Sequence, residues 1–257
     1  MKTKKYFRQG VLITLLVSAV GCTPKSMRNA SVADSVSSIE EIPEEIAEEV
    51  AEGITETKSG FLLPAGFVLF KEIHGDLNKD GLEDCVVIMK GTDKENFVVD
   101  EYRGKLDRNR RGIMILFNKG DDRYEVKAIN LTCFSSENED GGVYFPPELW
   151  VYIEKGNLYF HYGHGRYGYW KYTFRHKDND FELIGYDSGN HRGPVIESEV
   201  SINFLTKKKL NRVNVNEDAE GGDEVFEETW SNIDVRELIK LSEINDFDDF
   251  DFYYGEI

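Results

Sequence analysis

Oxygen-bearing side chains recur at every second residue near position 80. Asp76, Asn78 and Asp80 alternate with other residues, Gly81 follows, and Asp84 adds one more carboxylate. A hard cation such as calcium takes several oxygen ligands at flexible geometry, and a short loop supplies them by turning alternate side chains inward. We therefore predict a calcium loop at residues 76–84, in which these four side chains are ligands and the carbonyl of Leu82 is a backbone ligand.

The segments on either side of this loop are short and apolar. Residues 67–70 and 85–89 are rich in β-branched and aromatic side chains, a composition typical of strands. An EF-hand would have a bidentate Glu at the position that Val87 occupies here. The pattern therefore predicts a strand-loop-strand unit, and an acidic turn that binds no metal is the alternative.

The residues from Gly75 to Asp84 follow the pattern G-D-x-N-x-D-G-x-x-D before an apolar strand. This pattern resembles the integrin-alpha-type calcium loop of FG-GAP and VCBS repeats. In that family the loop joins strands of a β-propeller blade, and the resemblance implies that Asp76, Asn78, Asp80 and Asp84 ligate calcium. The chain has one clear copy of the loop, whereas a propeller needs several blades.

The first residues have the layout of a secretory signal peptide. Lys2, Lys4, Lys5 and Arg8 precede an apolar run that is too short to span a bilayer. Residues 19–22, Ala-Val-Gly-Cys, then resemble a bacterial lipobox, which implies that residues 1–21 are removed and that Cys22 is lipidated. Ordinary signal-peptidase cleavage at the same bond is the alternative. Thr23 is not the Asp that retains lipoproteins at the inner membrane, so the resemblance implies an outer-membrane lipoprotein on the periplasmic or surface face.

Residues 22–58 form an acidic segment without aromatic residues. Ile39, Ile42, Ile46 and Val50 recur at helical spacing, with glutamates between them. We predict a disordered or short helical tether that separates the membrane anchor from the folded domain. Loss of the four positive charges in residues 1–21 would change the formal net charge from -17 to -21. A chain of this charge repels nucleic acid, so we expect no nucleic-acid partner.

Residues 59–257 contain aromatic residues throughout and frequent turn signals. The pattern predicts a mostly-β fold in which antiparallel hairpins form one β-sandwich or partial propeller-like domain. The predicted strand pairs are 112–117 with 124–134, 149–153 with 158–162, 169–174 with 181–186, and 200–205 with 212–215. Residues 230–244 are predicted to return to the core, and residues 246–251 to form a loosely docked tail.

One hairpin, at residues 159–172, combines many aromatic residues with a glycine-rich turn. Its candidate ligand platform, which could stack on sugar rings or accept a peptide, consists of Tyr162, His164, Arg166, Tyr167, Tyr169 and Trp170. The alternative is that these side chains are cross-strand pairs that cover a β core. His161, His164 and His176 match no recurrent zinc-ligand spacing, so a zinc site has little support.

Catalytic motifs are absent from the sequence: it contains no G-x-S-x-G, no H-E-x-x-H and no phosphate-binding glycine loop. Cys85 and Cys133 lie in apolar segments, either as one disulfide or as two buried thiols. The leading hypothesis is a calcium-binding envelope lipoprotein that acts as a non-catalytic binding module for a protein or glycan. The alternatives are an envelope hydrolase that uses carboxylates near the aromatic hairpin, such as those of residues 137–140, and an immunity-type protein that neutralises a basic toxin.

Overall fold

The computed structural model describes residues 61–121, 123–139 and 145–250, together with the backbone of residues 55–56. The predicted signal peptide, Cys22 and most of the predicted tether lie outside the described residues. None of the described residues forms a helix that is long and apolar enough to cross a membrane.

The described chain consists of fifteen strands with short 3-10 turns. The strands are β1 (Thr55–Glu56), β2 (Leu62–Leu63), β3 (Phe67–Gly75), β4 (Asp84–Gly91), β5 (Phe97–Asp100), β6 (Gly104–Asp107), β7 (Arg111–Gly120), β8 (Arg123–Phe134), β9 (Glu148–Glu154), β10 (Asn157–Gly163), β11 (Gly168–Lys177), β12 (Asp180–Arg192), β13 (Val195–Asn203), β14 (Lys208–Asn214) and β15 (Phe226–Asn232). The 3-10 turns are Lys94–Asn96, Gly165–Tyr167 and Leu241–Glu243.

Two large antiparallel sheets contain eleven of the fifteen strands, and β1–β2 and β5–β6 form two further two-stranded sheets. The smaller sheet has four strands in the order β3-β4-β7-β8, and the larger has seven in the order β15-β14-β13-β12-β11-β10-β9. Almost every neighbour in space is also the neighbour in sequence, because each strand turns back directly on the preceding one. The predicted mostly-β fold of antiparallel hairpins is therefore confirmed.

One apolar core lies between the two sheets. The smaller sheet contributes side chains such as Ile113 and Phe117, and the larger contributes side chains such as Phe160 and Phe174. Alternate residues of β10 are buried, as expected for a strand with one face toward a core. This face-to-face packing gives one sandwich-like domain.

The smaller sheet is buried on its second face as well. Phe61 and Leu63 pack there against Cys85, Val87 and Met114. Burial on both faces explains why β4 and β7 read as continuous apolar runs without alternation.

The segment after β15 closes one end of the core. Ile233, Val235, Leu241 and Ile244 are buried, as predicted for residues 230–244. The prediction of a loosely docked tail from residue 246 onward is wrong in its first residues, because Phe247 is only 3% exposed. Its ring stacks on that of Phe134, with 5.2 Å between centroids.

Two hairpins differ from the sequence prediction in their extent. β13 turns into β14 at residues 204–207, so Arg212 pairs with Glu199 and not with the end of β13. β5 and β6 form an additional two-stranded hairpin in a segment whose sequence did not predict strands. Its polar and charged composition, including Lys105 and Asp107, hides the alternation that signals a strand.

Candidate functional site

The predicted calcium loop connects two paired strands. β3 ends at Gly75 and β4 begins at Asp84, and these two residues lie opposite each other in the antiparallel ladder. The ends of the loop are thus held together by the sheet, as the strand-loop-strand prediction requires. Leu77 is buried under the loop, whereas Asp80 and Leu82 are exposed.

Side chains within the loop accept hydrogen bonds from its own backbone. Asp76 Oδ1 accepts from the N–H groups of Lys79 and Asp80, and Asp76 Oδ2 accepts from that of Gly81 at 3.0 Å. Asn78 Oδ1 accepts from the N–H of Asp80, and Asp80 Oδ1 from that of Leu82. These bonds hold alternate oxygens on the inner side of the turn.

Asp84 has a different environment, because its carboxyl group is completely buried. Asp84 Oδ2 accepts hydrogen bonds from the N–H groups of Leu77 (2.8 Å) and Asn78 (3.3 Å), and Oδ1 accepts one from Asn118 in β7 (3.0 Å). Burial raises the pKa of Asp84, although the three N–H donors act in the opposite direction. Asp84 therefore fastens the loop to the smaller sheet, a role that does not require a metal.

The donor chemistry of the loop fits a hard cation, although the side chains are not gathered around one point. Across the described residues, no group of three or more His, Cys, Asp or Glu is close enough to hold a metal. The side chains of Asp76, Asp80 and Asp84 form no ion pair with any described residue. Each carboxylate oxygen has two lone pairs, so Asp76 Oδ2 and both Asp80 oxygens keep acceptor capacity beyond the bonds described above.

The predicted ligand platform is divided between the two faces of the larger sheet. Tyr162 and Trp170 lie on the face toward the smaller sheet, where their rings stack with 5.2 Å between centroids. Tyr162 is 2% exposed and is therefore a core residue, which contradicts its placement on an accessible platform. Tyr169 alternates with Trp170 along β11 and lies on the opposite face. His164, Arg166 and Tyr167 belong to the turn between β10 and β11.

The zinc hypothesis has no support in the geometry. His176 contacts the rings of Phe117 and Phe181 in the core, whereas His161 contacts Trp150 on the outer face of the larger sheet. The two cysteines are also separated, since Cys133 belongs to the core between the sheets and Cys85 to the core on the other face of the smaller sheet. Both are free and buried, which selects the buried-thiol alternative.

A cavity of about 420 Å³ lies where the C-terminal segment meets the larger sheet. We call it the acidic cavity, because it combines two carboxylates with a wall of aromatic rings. Its principal lining residues are Glu139, Trp170, Tyr172, Tyr186, Asp248 and Phe250. A volume of this size, lined by aromatic rings and a few polar groups, is typical of a small-molecule or sugar site.

The two carboxylates of the acidic cavity are held by neighbouring serines. Glu139 Oε1 accepts hydrogen bonds from the N–H and the hydroxyl of Ser136, and the hydroxyl bond is 2.7 Å long. Partial burial raises the pKa of Asp248, and the nearby carboxylates of Asp246 and Glu139 raise it further, while a hydrogen bond with Ser135 lowers it. Glu139 Oε2 accepts no hydrogen bond from a described residue and can therefore contact a ligand.

Most basic side chains near the acidic cavity are already paired. Arg110 forms an ion pair of 2.7 Å with Asp246, and Lys90 is paired with Asp107 and Glu137. Arg111 is buried, donates from Nε to the carbonyl of Ser135, and does not line the cavity. The described lining residues include two carboxylates and no Lys, Arg or His, so the charge that they present to the cavity is negative.

A second cavity, of about 230 Å³, adjoins the first along the same face of β11 and β12. We call it the polar cavity, since hydroxyl, amide and imidazole groups supply its polar lining. Its principal residues are His164, Trp170, Tyr186, Ser188, Asn190 and Ser198. Trp170 and Tyr186 line both cavities. The two cavities therefore lie side by side on the face of the larger sheet that carries Trp170 and Tyr186.

His164, Tyr167, Tyr169 and Trp170, which the sequence predicts as ligand-platform residues, line the polar cavity, but the residues that complete the two cavities were not predicted. Glu139, Tyr186 and Asp248 come from distant parts of the chain. The aromatic residues Phe247 and Phe250 within the acidic C-terminal stretch were the one signal that this segment docks on the core. Comparisons with known protein families, curated proteins and solved structures find no match to this chain.

Proposed function

We propose that this chain is a non-catalytic, calcium-binding envelope lipoprotein whose β domain binds a glycan. The observation that carries the glycan is the pair of adjoining cavities, in which Trp170 and Tyr186 contribute aromatic surface to both. Sugar rings present an apolar face to an aromatic ring and hydroxyl groups to polar side chains around it. Ser188 and Asn190 supply such polar groups next to Trp170.

A binding assay with immobilised envelope polysaccharides tests this proposal. We expect Trp170→Ala to lose most of the binding, because it removes the ring shared by both cavities. Trp230→Ala is the matched control, since Trp230 is 63% exposed on β15 and lines neither cavity. Equal binding by the two variants, with unchanged melting temperatures, would remove the cavities as the glycan site.

The proposed calcium site rests on the alternating oxygens of residues 76–84 and on their uncompensated negative charge. Asp76, Asn78, Asp80 and Asp84 would hold the ion together with the carbonyl of Leu82, and the ion would neutralise carboxylates that have no basic partner among the described residues. Bound calcium would supply structural stability to the β3–β4 connection, with no part in a reaction.

Thermal unfolding with calcium and with a chelator tests the metal. For a dissociation constant of about 0.1–1 mM, calcium at about 1 mM adds roughly 0.4–1.4 kcal/mol to the free energy of unfolding. That gain raises the melting temperature by about 1–5 °C, and Asp80→Ala should abolish the rise. Asp100→Ala is the control, because Asp100 caps another exposed turn, through the N–H groups of Tyr102 and Arg103. A calcium response that persists in Asp80→Ala would place the ion elsewhere.

A hydrolase is the second candidate, and the acidic cavity is the observation that favours it. Glu139 and Asp248 line one aromatic cavity, and the pKa of Asp248 is raised, as in a carboxyl group that acts as a general acid. Incubation of the protein with glycoside substrates distinguishes the candidates: turnover that is lost in Glu139→Gln and in Asp248→Asn would replace the binding proposal.

A further inference from the structure

We infer that the glycan bound by this chain carries a free amino group, and that the amine-bearing sugar occupies the acidic cavity while a neutral neighbouring sugar occupies the polar cavity. This inference rests on the proposed glycan-binding function and adds the chemistry of the ligand to it. It follows from three features of the two cavities: their charge, their polar groups and the rings that they share.

The charge facing the acidic cavity selects a cation. Among the described residues that line it, Glu139 and Asp248 are the carboxylates, and no described Lys, Arg or His side chain contributes to the lining. Glu139 Oε1 is used by Ser136, and no described residue donates a hydrogen bond to Oε2. An ammonium group supplies the donors that these acceptor oxygens lack, through charge-assisted hydrogen bonds.

The other charged groups near the acidic cavity do not change its preference for a cation. Asp246 is paired with Arg110, and Glu137 with Lys90. Arg111 is the buried basic group whose charge reaches both Glu139 and Asp248. The Arg111 guanidinium donates a hydrogen bond to the carbonyl of Ser135. Arg111 is not among the residues that line the cavity.

The polar cavity has the opposite character, because it contains no carboxylate. Ser188, Asn190 and Ser198 offer neutral hydroxyl and amide groups, which suit the hydroxyl groups of an uncharged sugar. Trp170 and Tyr186 line both cavities, so a chain of at least two linked sugars can contact the same rings from both sides. The arrangement therefore fits an amino-sugar oligomer rather than a free amine.

The experiment compares two probes that differ only at the nitrogen. A β-1,4-linked glucosamine oligomer and its fully N-acetylated counterpart of equal length are titrated into the purified full chain by calorimetry. We expect the amine-bearing oligomer to bind about tenfold more tightly, since two partly exposed carboxylates each contribute modestly to the binding of a cation. The preference should weaken at high salt, because the charges lie at an open surface.

The variants Glu139→Gln and Asp248→Asn keep the shape of each side chain and remove its charge. We expect the double variant to bind both oligomers with equal affinity, at the level of the acetylated oligomer on the wild type. Asp249→Asn is the control, because Asp249 is an exposed neighbour that does not line the cavity, and it should keep the preference.

The outcomes separate this inference from the proposed function. Equal binding of the two oligomers by the wild type would overturn the amine-specific inference and leave glycan binding intact. A preference that survives in the double variant would overturn the assignment of the amine to the acidic cavity. Binding of neither oligomer would count against both proposals for this class of glycan.

Discussion

At the scale of single residues, Asp84 shows how one side chain can satisfy a metal-binding pattern while serving the backbone. Its carboxylate accepts three N–H groups, two from the loop and one from Asn118 on the neighbouring strand. The spacing that suggested a calcium ligand equally suits a carboxylate that fastens a loop to a sheet. The two aspartates differ in burial, since Asp84 is buried and Asp80 is exposed, and the spacing of residues in the sequence does not show this difference.

We predict that Asp84→Asn lowers the free energy of unfolding by about 1–3 kcal/mol even in the presence of a chelator. The amide replaces one acceptor oxygen by a donor, so at least one buried N–H loses its partner. Urea unfolding in chelator measures this change, with Asp80→Asn as the matched control, which should cost less than about 0.5 kcal/mol because Asp80 is exposed. Equal stability of the two variants would mean that Asp84 acts only through a metal.

At the scale of elements, the turn between β10 and β11 is fixed by the close approach of another strand. Gly168 begins β11 with φ +115°, and a Cβ atom there would lie 1.8 Å from the carbonyl oxygen of Gly189 in β12. Gly165, three residues earlier, also has a positive φ (+53°), but a Cβ atom there would meet open space. Gly168 is therefore required by both its backbone conformation and the lack of space, whereas Gly165 is favoured by its backbone conformation alone.

We predict that Gly168→Ala costs about 3 kcal/mol or more, because it combines a backbone conformation that L-residues avoid with a clash against the β12 backbone. Gly165→Ala should cost about 1 kcal/mol, since only the backbone preference changes. Urea unfolding followed by circular dichroism gives both values. Similar costs for the two variants would show that β12 moves aside readily, and that the turn is not held by this contact.

At the scale of the whole molecule, the limits of the sequence prediction follow from the range of the interactions. The strand pairs β7–β8, β9–β10 and β11–β12 were predictable because a turn signal joins each pair directly. The acidic cavity was not, since Glu139, Trp170 and Asp248 meet only when the C-terminal segment packs on the larger sheet. The sequence of β10 and β11 shows which residues are aromatic, but it does not show which face of the sheet each one occupies. Tyr162 was therefore predicted to be accessible, although it is buried.

The shared core of the two sheets predicts that they unfold together, and the chain contains separate probes for each sheet. Trp150, Trp170 and Trp230 all lie in the larger sheet, whereas Cys85 and Cys133 lie in the smaller one. Burial raises the pKa of Cys85 to about 12 and also raises that of Cys133, so both thiols react slowly while the sheet is folded. In a Cys22→Ser variant, tryptophan fluorescence and pulsed thiol labelling therefore report on different sheets.

We expect the two probes to give the same urea midpoint, because side chains of both sheets, such as Phe117 and Phe160, belong to one apolar cluster. Phe247 extends that cluster from the C-terminal segment, since its ring lies within 5.2 Å of those of Phe134 and Phe160. Phe247→Ala should thus shift both midpoints downward together, by an amount that corresponds to about 3–5 kcal/mol. Thiol labelling at a lower urea concentration than the fluorescence change would mean that the smaller sheet opens alone, and that the core between the sheets does not couple them.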